Sequence, residues 1–293
     1  MSDGLRPRRS VLYMPGANER ALTKAEDLPA DALILDLEDA VAPDAKAEAR
    51  DRACEAVASD RYGGREVTIR VNGIGTPWHD ADLRAVAAAG PAAVVVPKVD
   101  SADAVHAIEK GLEAAGAPDR TAIWAMIETP TAMLHAEEVS RASDRMTVLV
   151  MGTNDLAKEL RAEHVPGRQP LLAGLGLSLL AARATGKVIL DGVYNDIKDA
   201  EGFEAECVQG RQMGFDGKTL IHPSQLEPCN RVFAPTADEV DRARRVIEAF
   251  EQAEAEGRGV VTVDGRMVEN LHVDQARRTL AVVAAIEAVG GGA

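Results

Sequence analysis

The feature that most limits how this chain can fold is a unit that recurs eight times: a short apolar run, then a segment with helical spacing. The runs are SVLYM (10–14), ALILDL (32–37), EVTIRV (66–71), AAVVVP (92–97), AIWAMI (122–127), TVLVM (147–151), KVILDG (187–192) and FDGKTLI (215–221). Each is too apolar to keep one face in water, so each is expected to be a strand covered on both sides. Between them lie Ala-rich stretches such as ADLRAVAAAG and SADAVHAIEKGLEAAG, with apolar residues at helical intervals. Eight buried strands alternating with helices predict a (β/α)8 barrel. An open doubly wound sheet is the alternative, but the chain has no GxGxxG turn.

At 293 residues the chain is long for one domain unless that domain is a barrel. Aromatic residues make up only 3%, so the core must be built from Ala, Val, Leu and Ile. A formal charge of −14 opposes binding to nucleic acid or an anionic membrane. The basic start, RPRR (6–9), is too short to reverse this and reads as a local anion contact or a solvated end. Cys54, Cys207 and Cys229 form no CxxC pair, which suits a reducing compartment. No signal-peptide core or run of ~18 apolar residues is present, so a cytoplasmic protein is expected.

Polar and turn-forming residues stand where the runs end. They are Pro15-Gly16, then Asp36, Glu38 and Asp39, then Arg70 and Asn72, Lys98, Glu128, Asn154 with Asp155, Asp191, and His222. A barrel assembles its active site from several strand ends at the C-terminal face, so this ring is the candidate site. Glu128 and Asp155 follow adjacent runs, and two converging carboxylates suit Mg²⁺, with Mn²⁺ as the other hard ion that accepts oxygen ligands. Each carboxylate alone has a plainer role as a helix cap. Arg70 is either the ion-pair partner of Asp36 or Glu38 or a fork for a substrate oxygen, and the two roles are compatible. The amides of Gly152, Thr153 and Asn154 offer a helix-start seat for a substrate carboxylate. Arg20 and Lys24, four apart after a glycine turn, offer a phosphate seat, although surface pairs at this spacing are common. His222 reads as structural.

Beyond residue 235 the chain has no barrel face left to build. Residues 237–257 read as a charged helix, VVTVDGRMVEN (260–270) carries the Asp-Gly signal of a two-residue hairpin, and a last helix is expected near 272–289. The division expected is a barrel over 1–235 and a lid or oligomer contact over 236–293.

Taken together, RSVLYMPGANERALTKA, ALILDLEDAVAPDAKAEAR, TIRVNG, VVPKV, AMIETP, VMGTNDLAKEL, DGVYND and DGKTLIHPSQ resemble the citrate lyase β-subunit-like branch of the HpcH/HpaI aldolase family over nearly the whole chain. Within the branch the sequence looks most like malyl-CoA lyases and, closer still, thioesterases. The resemblance implies Mg²⁺ on Glu128 and Asp155, Arg70 on the substrate carbonyl oxygen, and Glu38 and Asp36 supporting Arg70 and the metal waters. It implies CoA near Arg20 and Lys24, a homotrimer or homohexamer, and a lid that closes over a neighbour's barrel. The activity it implies is hydrolysis of a 3-hydroxy-dicarboxyl-CoA such as (S)-malyl-CoA. The alternatives are C–C cleavage to glyoxylate and acetyl-CoA, a non-catalytic acyl-CoA binder, and the lyase subunit of a larger complex. One departure stands out: where several lyases of the branch carry a lid aspartate as acid/base, this chain reads Met267-Val268-Glu269, and Glu269 is expected to act as that base or to activate water, the alternative being a salt bridge at the lid.

Overall fold

The structure is a computed structural model and describes residues 5–256 and 261–290. Eight parallel strands close into a barrel in the order β1 to β8. They are β1 Ser10–Pro15, β2 Ala32–Asp36, β3 Glu66–Arg70, β4 Ala93–Val96, β5 Ala122–Ile127, β6 Met146–Met151, β7 Val188–Asp191 and β8 Gly217–Leu220. The barrel closes where β1 pairs with β8, Val11 opposite Thr219. All eight expected runs are strands; five are shorter than expected by one or two residues at an end, β1 and β6 are one residue longer, and β5 matches.

Because side chains alternate along a strand, the barrel has two separate apolar layers. The inner layer contains Val11, Ile34, Val95, Trp124, Val150 and Leu190. The outer layer, between sheet and helices, is larger and includes Leu12, Leu33, Ile69, Val94, Ile123 and Leu149. This alternation decides which strand-end polar residues reach the barrel mouth. Leu190 points inward, so Asp191 points outward, against the expectation that it belongs to the ring at the site. There Asp191 is wholly buried against the fully buried Lys218 (2.9 Å) and against Arg168 (2.6 Å). Glu206 completes the group, 2.7 Å from Lys218.

Arginine pairs fasten the other end of the barrel. Arg8 grips Glu66 through two bonds of 2.6 and 2.8 Å and lies over the Trp124 ring, and Arg9 grips Asp31 at 2.8 and 2.7 Å. Of the two readings open for the basic start, the local anion contact is therefore the one realised at Arg8 and Arg9.

The described residues of 1–7 and 234–293 form a second compact unit, distinct from that of Arg8–Phe233. Its helix Ala237–Ala255 starts with a capping box between Thr236 and Glu239. The hairpin is β9 Val261–Val263 and β10 Arg266–Val268, joined by Asp264 and Gly265 with φ of 50° and 73°, as the Asp-Gly signal requires. A last helix runs Asn270–Gly290. Ala243, Val246, Phe250, Val263, Val268, Val273 and Ala276 form this unit's own core. The expected helix end at Gly257 and hairpin start at Val260 lie outside the described residues. Among the described residues no helix is long and apolar enough to cross a membrane.

Candidate active site

At the C-terminal mouth of the barrel, a cavity of about 380 Å³ is lined by residues from β1, β2, β3, β5, β6 and β8 and the segments that follow the strands. Asp36, Arg70, Glu128, Gly152, Thr153, Asn154 and Asp155 all line it. Arg70 ends β3 on the inward face and is 8% exposed. A guanidinium so buried needs carboxylate partners. Asp36, the opposite residue on β2, accepts two bonds from it at 2.6 and 2.7 Å, and Glu38 lies 2.8 Å from Nη1. Asp36 also accepts the backbone N–H groups of Glu38 and Ala40, which consumes its remaining lone pairs. Its position therefore makes Asp36 an orienting partner for Arg70. Glu38 keeps capacity to spare. Burial pushes its carboxyl up to about 7; Arg70 opposes the rise, and Asp39 and Asp36 add to it.

Glu128 follows β5 and is 2% exposed. Burial, then the negative charges of Asp155 and Glu38, raise its carboxyl to about 8. Two features hold it in this position. Lys98, in the left-handed region at φ 53°, aims its backbone N–H at Glu128 Oε1, 2.9 Å away. Gly152 leaves the necessary room, because a Cβ there would stand 2.2 Å from Glu128 Oε2 and 2.3 Å from its Cβ. Asp155 sits in the first turn of the helix Thr153–Leu160, and its Oδ1 lies 3.4 Å from the Lys98 ammonium. Lys98 thus contacts both carboxylates, by its backbone and by its side chain.

Glu128 and Asp155 suit a hard divalent cation. Both donors are oxygens, burial and then the charges of Asp155 and Glu38 outweigh the protein groups that favour ionised Glu128, and Gly152 leaves room beside its carboxylate. Among the described residues no group of three or more His, Cys, Asp and Glu side chains gathers into a cage. Two carboxylates then leave most coordination positions to water or substrate oxygens, the usual arrangement for Mg²⁺.

The helix start differs from expectation in one detail. The Gly152 N–H donates to Ile127 O at 3.1 Å, so Gly152 supplies space rather than a free amide. The helical ladder begins with Leu156 N–H to Gly152 O, so the amides of Thr153 and Asn154 precede it. Asn154 forms a reciprocal amide pair with Asn195, at 3.1 and 2.7 Å. Both side chains also line a neighbouring cavity of about 730 Å³.

Arg20 and Lys24 are exposed on the six-residue helix Glu19–Lys24, and neither lines the 380 Å³ cavity. Glu269 is exposed, immediately before the helix Asn270–Gly290, with its N–H donating to His272 Nδ1 at 3.0 Å. His222 caps the short turn Pro223–Gln225, the structural role expected of it. Tyr13, Met126, Asn195 and Thr219 line the cavity without having been singled out. Period-2 alternation puts each of Tyr13, Met126 and Thr219 on one strand face with Val11, Glu128 or Ile221, but which face is the inner one is visible only in the structure. Asn195 carried no such signal.

Comparison with known proteins places the chain in a family. The HpcH/HpaI aldolase/citrate lyase family model matches residues 9–223, and that of a C–C bond lyase of the TIM-barrel fold matches 173–285. The chain is 54% identical over 288 residues to a (3S)-malyl-CoA thioesterase of Cereibacter sphaeroides, covering 98% of this chain and 99% of that one. It is 40% identical over 280 residues to the citrate lyase β subunit of Escherichia coli, covering 94% and 93%. The solved structure of CitE from Mycobacterium tuberculosis in complex with magnesium, acetoacetate and coenzyme A superposes with a TM-score of 0.76. It is 29% identical and covers 94% of this chain and 97% of that one. By the extent of the first match and the identity of these relatives, the chain belongs to the HpcH/HpaI aldolase/citrate lyase family.

Proposed function

We propose that this protein is a Mg²⁺-dependent thioesterase that hydrolyses (3S)-malyl-CoA, or a close 3-hydroxy-dicarboxyl-CoA, to the free acid and CoA. The observation that carries the reading is the pairing, in one cavity, of a carboxylate pair and a buried, carboxylate-oriented Arg70. The whole-length identity of 54% to (3S)-malyl-CoA thioesterases supports the choice of substrate. Magnesium in the CitE complex supports the choice of metal, and Mn²⁺ belongs to the same oxygen-ligand chemistry.

Glu128 and Asp155 would hold the ion, which when bound supplies positive charge for the substrate hydroxyl and carboxylate oxygens. The Thr153 and Asn154 amides, at the positive end of their helix, face the same carboxylate. Arg70 holds the thioester oxygen. Its guanidinium is kept protonated by Asp36 and Glu38 despite burial, so the charge is in place before reaction. Water adds to the thioester carbon and the C=O electron pair moves onto the oxygen beside Arg70. That pair returns as the C–S bond breaks and the sulfur leaves with its electrons. A carboxylate takes the water proton. Glu269 is assigned that role, and Glu269→Gln is its test. Arg20 and Lys24 are assigned to CoA phosphates, and a homotrimer or homohexamer in the cytoplasm completes the reading.

Retro-Claisen cleavage remains the second reading, favoured by the C–C bond lyase match over 173–285. Negative charge collects on the same thioester oxygen in both reactions. Incubation with (3S)-malyl-CoA and Mg²⁺, with free CoA, malate, glyoxylate and acetyl-CoA assayed separately, distinguishes them. Equimolar CoA and malate are expected. Glyoxylate and acetyl-CoA in equal amounts would replace hydrolysis with cleavage.

A further inference from the structure

Tyr13 stands on the inward face of β1, and its ring lies under Arg70, with the guanidinium carbon 5.0 Å from the ring centroid. Its ring has an evident purpose: a cation over an aromatic face is attracted to it and stays oriented. The hydroxyl has no comparable explanation. The partner found for it is Met126 Sδ at 3.9 Å, a weak acceptor. Arg70 Nη1 lies at the same 3.9 Å from the same sulfur. Two strong donors therefore converge on one poor acceptor, in a cavity that all three residues line. The hydroxyl thus has no strong protein partner among the described residues, whereas Phe would supply the same platform with no polar atom to satisfy.

We propose that the Tyr13 hydroxyl is a second hydrogen-bond donor, beside Arg70, to the thioester carbonyl oxygen, and is thus a catalytic residue; the proposal rests on the functional reading above. In hydrolysis the oxygen gains the C=O electron pair when water adds and returns it when the C–S bond breaks. Tyr13 keeps its proton throughout and only donates a hydrogen bond. Burial, with Asp36 and Glu128 adding to it and Arg70 opposing, holds the phenol above its ordinary value, so it remains a donor over the working pH range. The arrangement is a two-point oxyanion site: one charged donor fixed by Asp36, and one neutral donor fixed by the ring on which the charged donor rests. The same pair would serve C–C cleavage, because charge develops on the same atom.

Tyr13→Phe removes the oxygen and keeps the ring beneath Arg70. With (3S)-malyl-CoA and Mg²⁺, kcat should fall about 10²-fold, the lower end of what loss of one oxyanion donor costs, with KM changed less than about threefold. A kcat within twofold of wild type would overturn the proposal and leave the functional reading intact. A second measurement holds whatever the reaction. Binding of acetyl-CoA and of its thioether analogue S-ethyl-CoA, which lacks the carbonyl oxygen, is compared in both proteins by calorimetry with Mg²⁺ present. Tyr13→Phe should weaken acetyl-CoA about 3- to 10-fold and leave S-ethyl-CoA unchanged. Equal effects on the two ligands would overturn the role of the hydroxyl. Wild-type protein that binds acetyl-CoA but does not turn over (3S)-malyl-CoA would fail the functional reading alone, and the binding comparison would then decide Tyr13. Wild-type protein that binds neither CoA ligand would overturn both.

Discussion

Two charge clusters in this barrel look alike in composition and differ in balance. In the outer layer, Asp191 and Glu206 face Lys218 and Arg168, two acids against two cations. At the mouth, Asp36, Glu38, Asp39, Glu128 and Asp155 share Arg70 and Lys98. The outer group is satisfied. Burial alone would raise the Asp191 carboxyl, yet Lys218 and Arg168 outweigh it and hold the group below its ordinary value. Lys218, for its part, is kept above its ordinary value despite complete burial. At the mouth the direction reverses, and Glu128 and Glu38 rise to about 8 and about 7. Paired charges build a scaffold, whereas an excess of one sign waits for a ligand of the other sign.

The largest effect should come from breaking the unbalanced side. Asp155→Ala should abolish Mg²⁺-dependent turnover, by well over the ~10–100-fold that loss of a second-shell partner costs, while circular dichroism and the melting transition stay close to wild type. Full activity in that variant would remove Asp155 from the metal site.

Breaking the balanced side should do the opposite. Asp191→Asn leaves Lys218 and Arg168 buried with only Glu206, at a cost of about 3–5 kcal/mol read in denaturant unfolding. Mg²⁺ affinity should be unchanged in the molecules that remain folded.

The pH response should separate the clusters next. Glu38 has a folded value of about 7 against an ordinary 4.5, so between these values the folded state binds more protons than the unfolded state. Stability contributed by this group therefore falls as pH rises from about 4.5 to 7. Glu128, at about 8, adds a slope of the same sign, so Glu38→Gln should lessen but not abolish the slope in melting temperatures measured from pH 5 to 8. Asp191, with its value depressed, stabilises above the ordinary carboxylate range and loses that contribution only as pH falls through its folded value. Lys218, raised above 10.5, loses its contribution only as pH rises through its own. The outer cluster should thus be insensitive over the same interval.

The smallest effect belongs to exposed charge. Arg20→Ala or Lys24→Ala should each raise KM for the CoA ester only a few-fold, in proportion to the ~0.2–1 kcal/mol of a solvated contact, and the effect should shrink with added salt.

What the sequence made legible follows the same division. The barrel could be read because each strand is a compact apolar run, and Arg70, Glu128 and Asp155 stood out because they interrupt that pattern at its ends. Asp191 interrupts it just as visibly, yet strand parity turns it into the outer layer; one inward residue, Leu190, decides this, and an apolar run does not announce its inward face. Arg168 was hidden because it lies in the segment Pro166–Leu171, in a left-handed conformation at φ 54° that no periodic signal encodes. Tyr13 read as ordinary core, since an aromatic residue in a strand is unremarkable until its hydroxyl is found without a good partner.

Calorimetric titration of Mg²⁺ into wild type, Glu128→Gln and Asp191→Asn tests the central contrast most directly. One Mg²⁺ per chain in wild type and in Asp191→Asn, with none in Glu128→Gln, is the predicted result. Equal binding by wild type and Glu128→Gln would contradict the account, because the excess charge at the mouth would then not be what holds the ion.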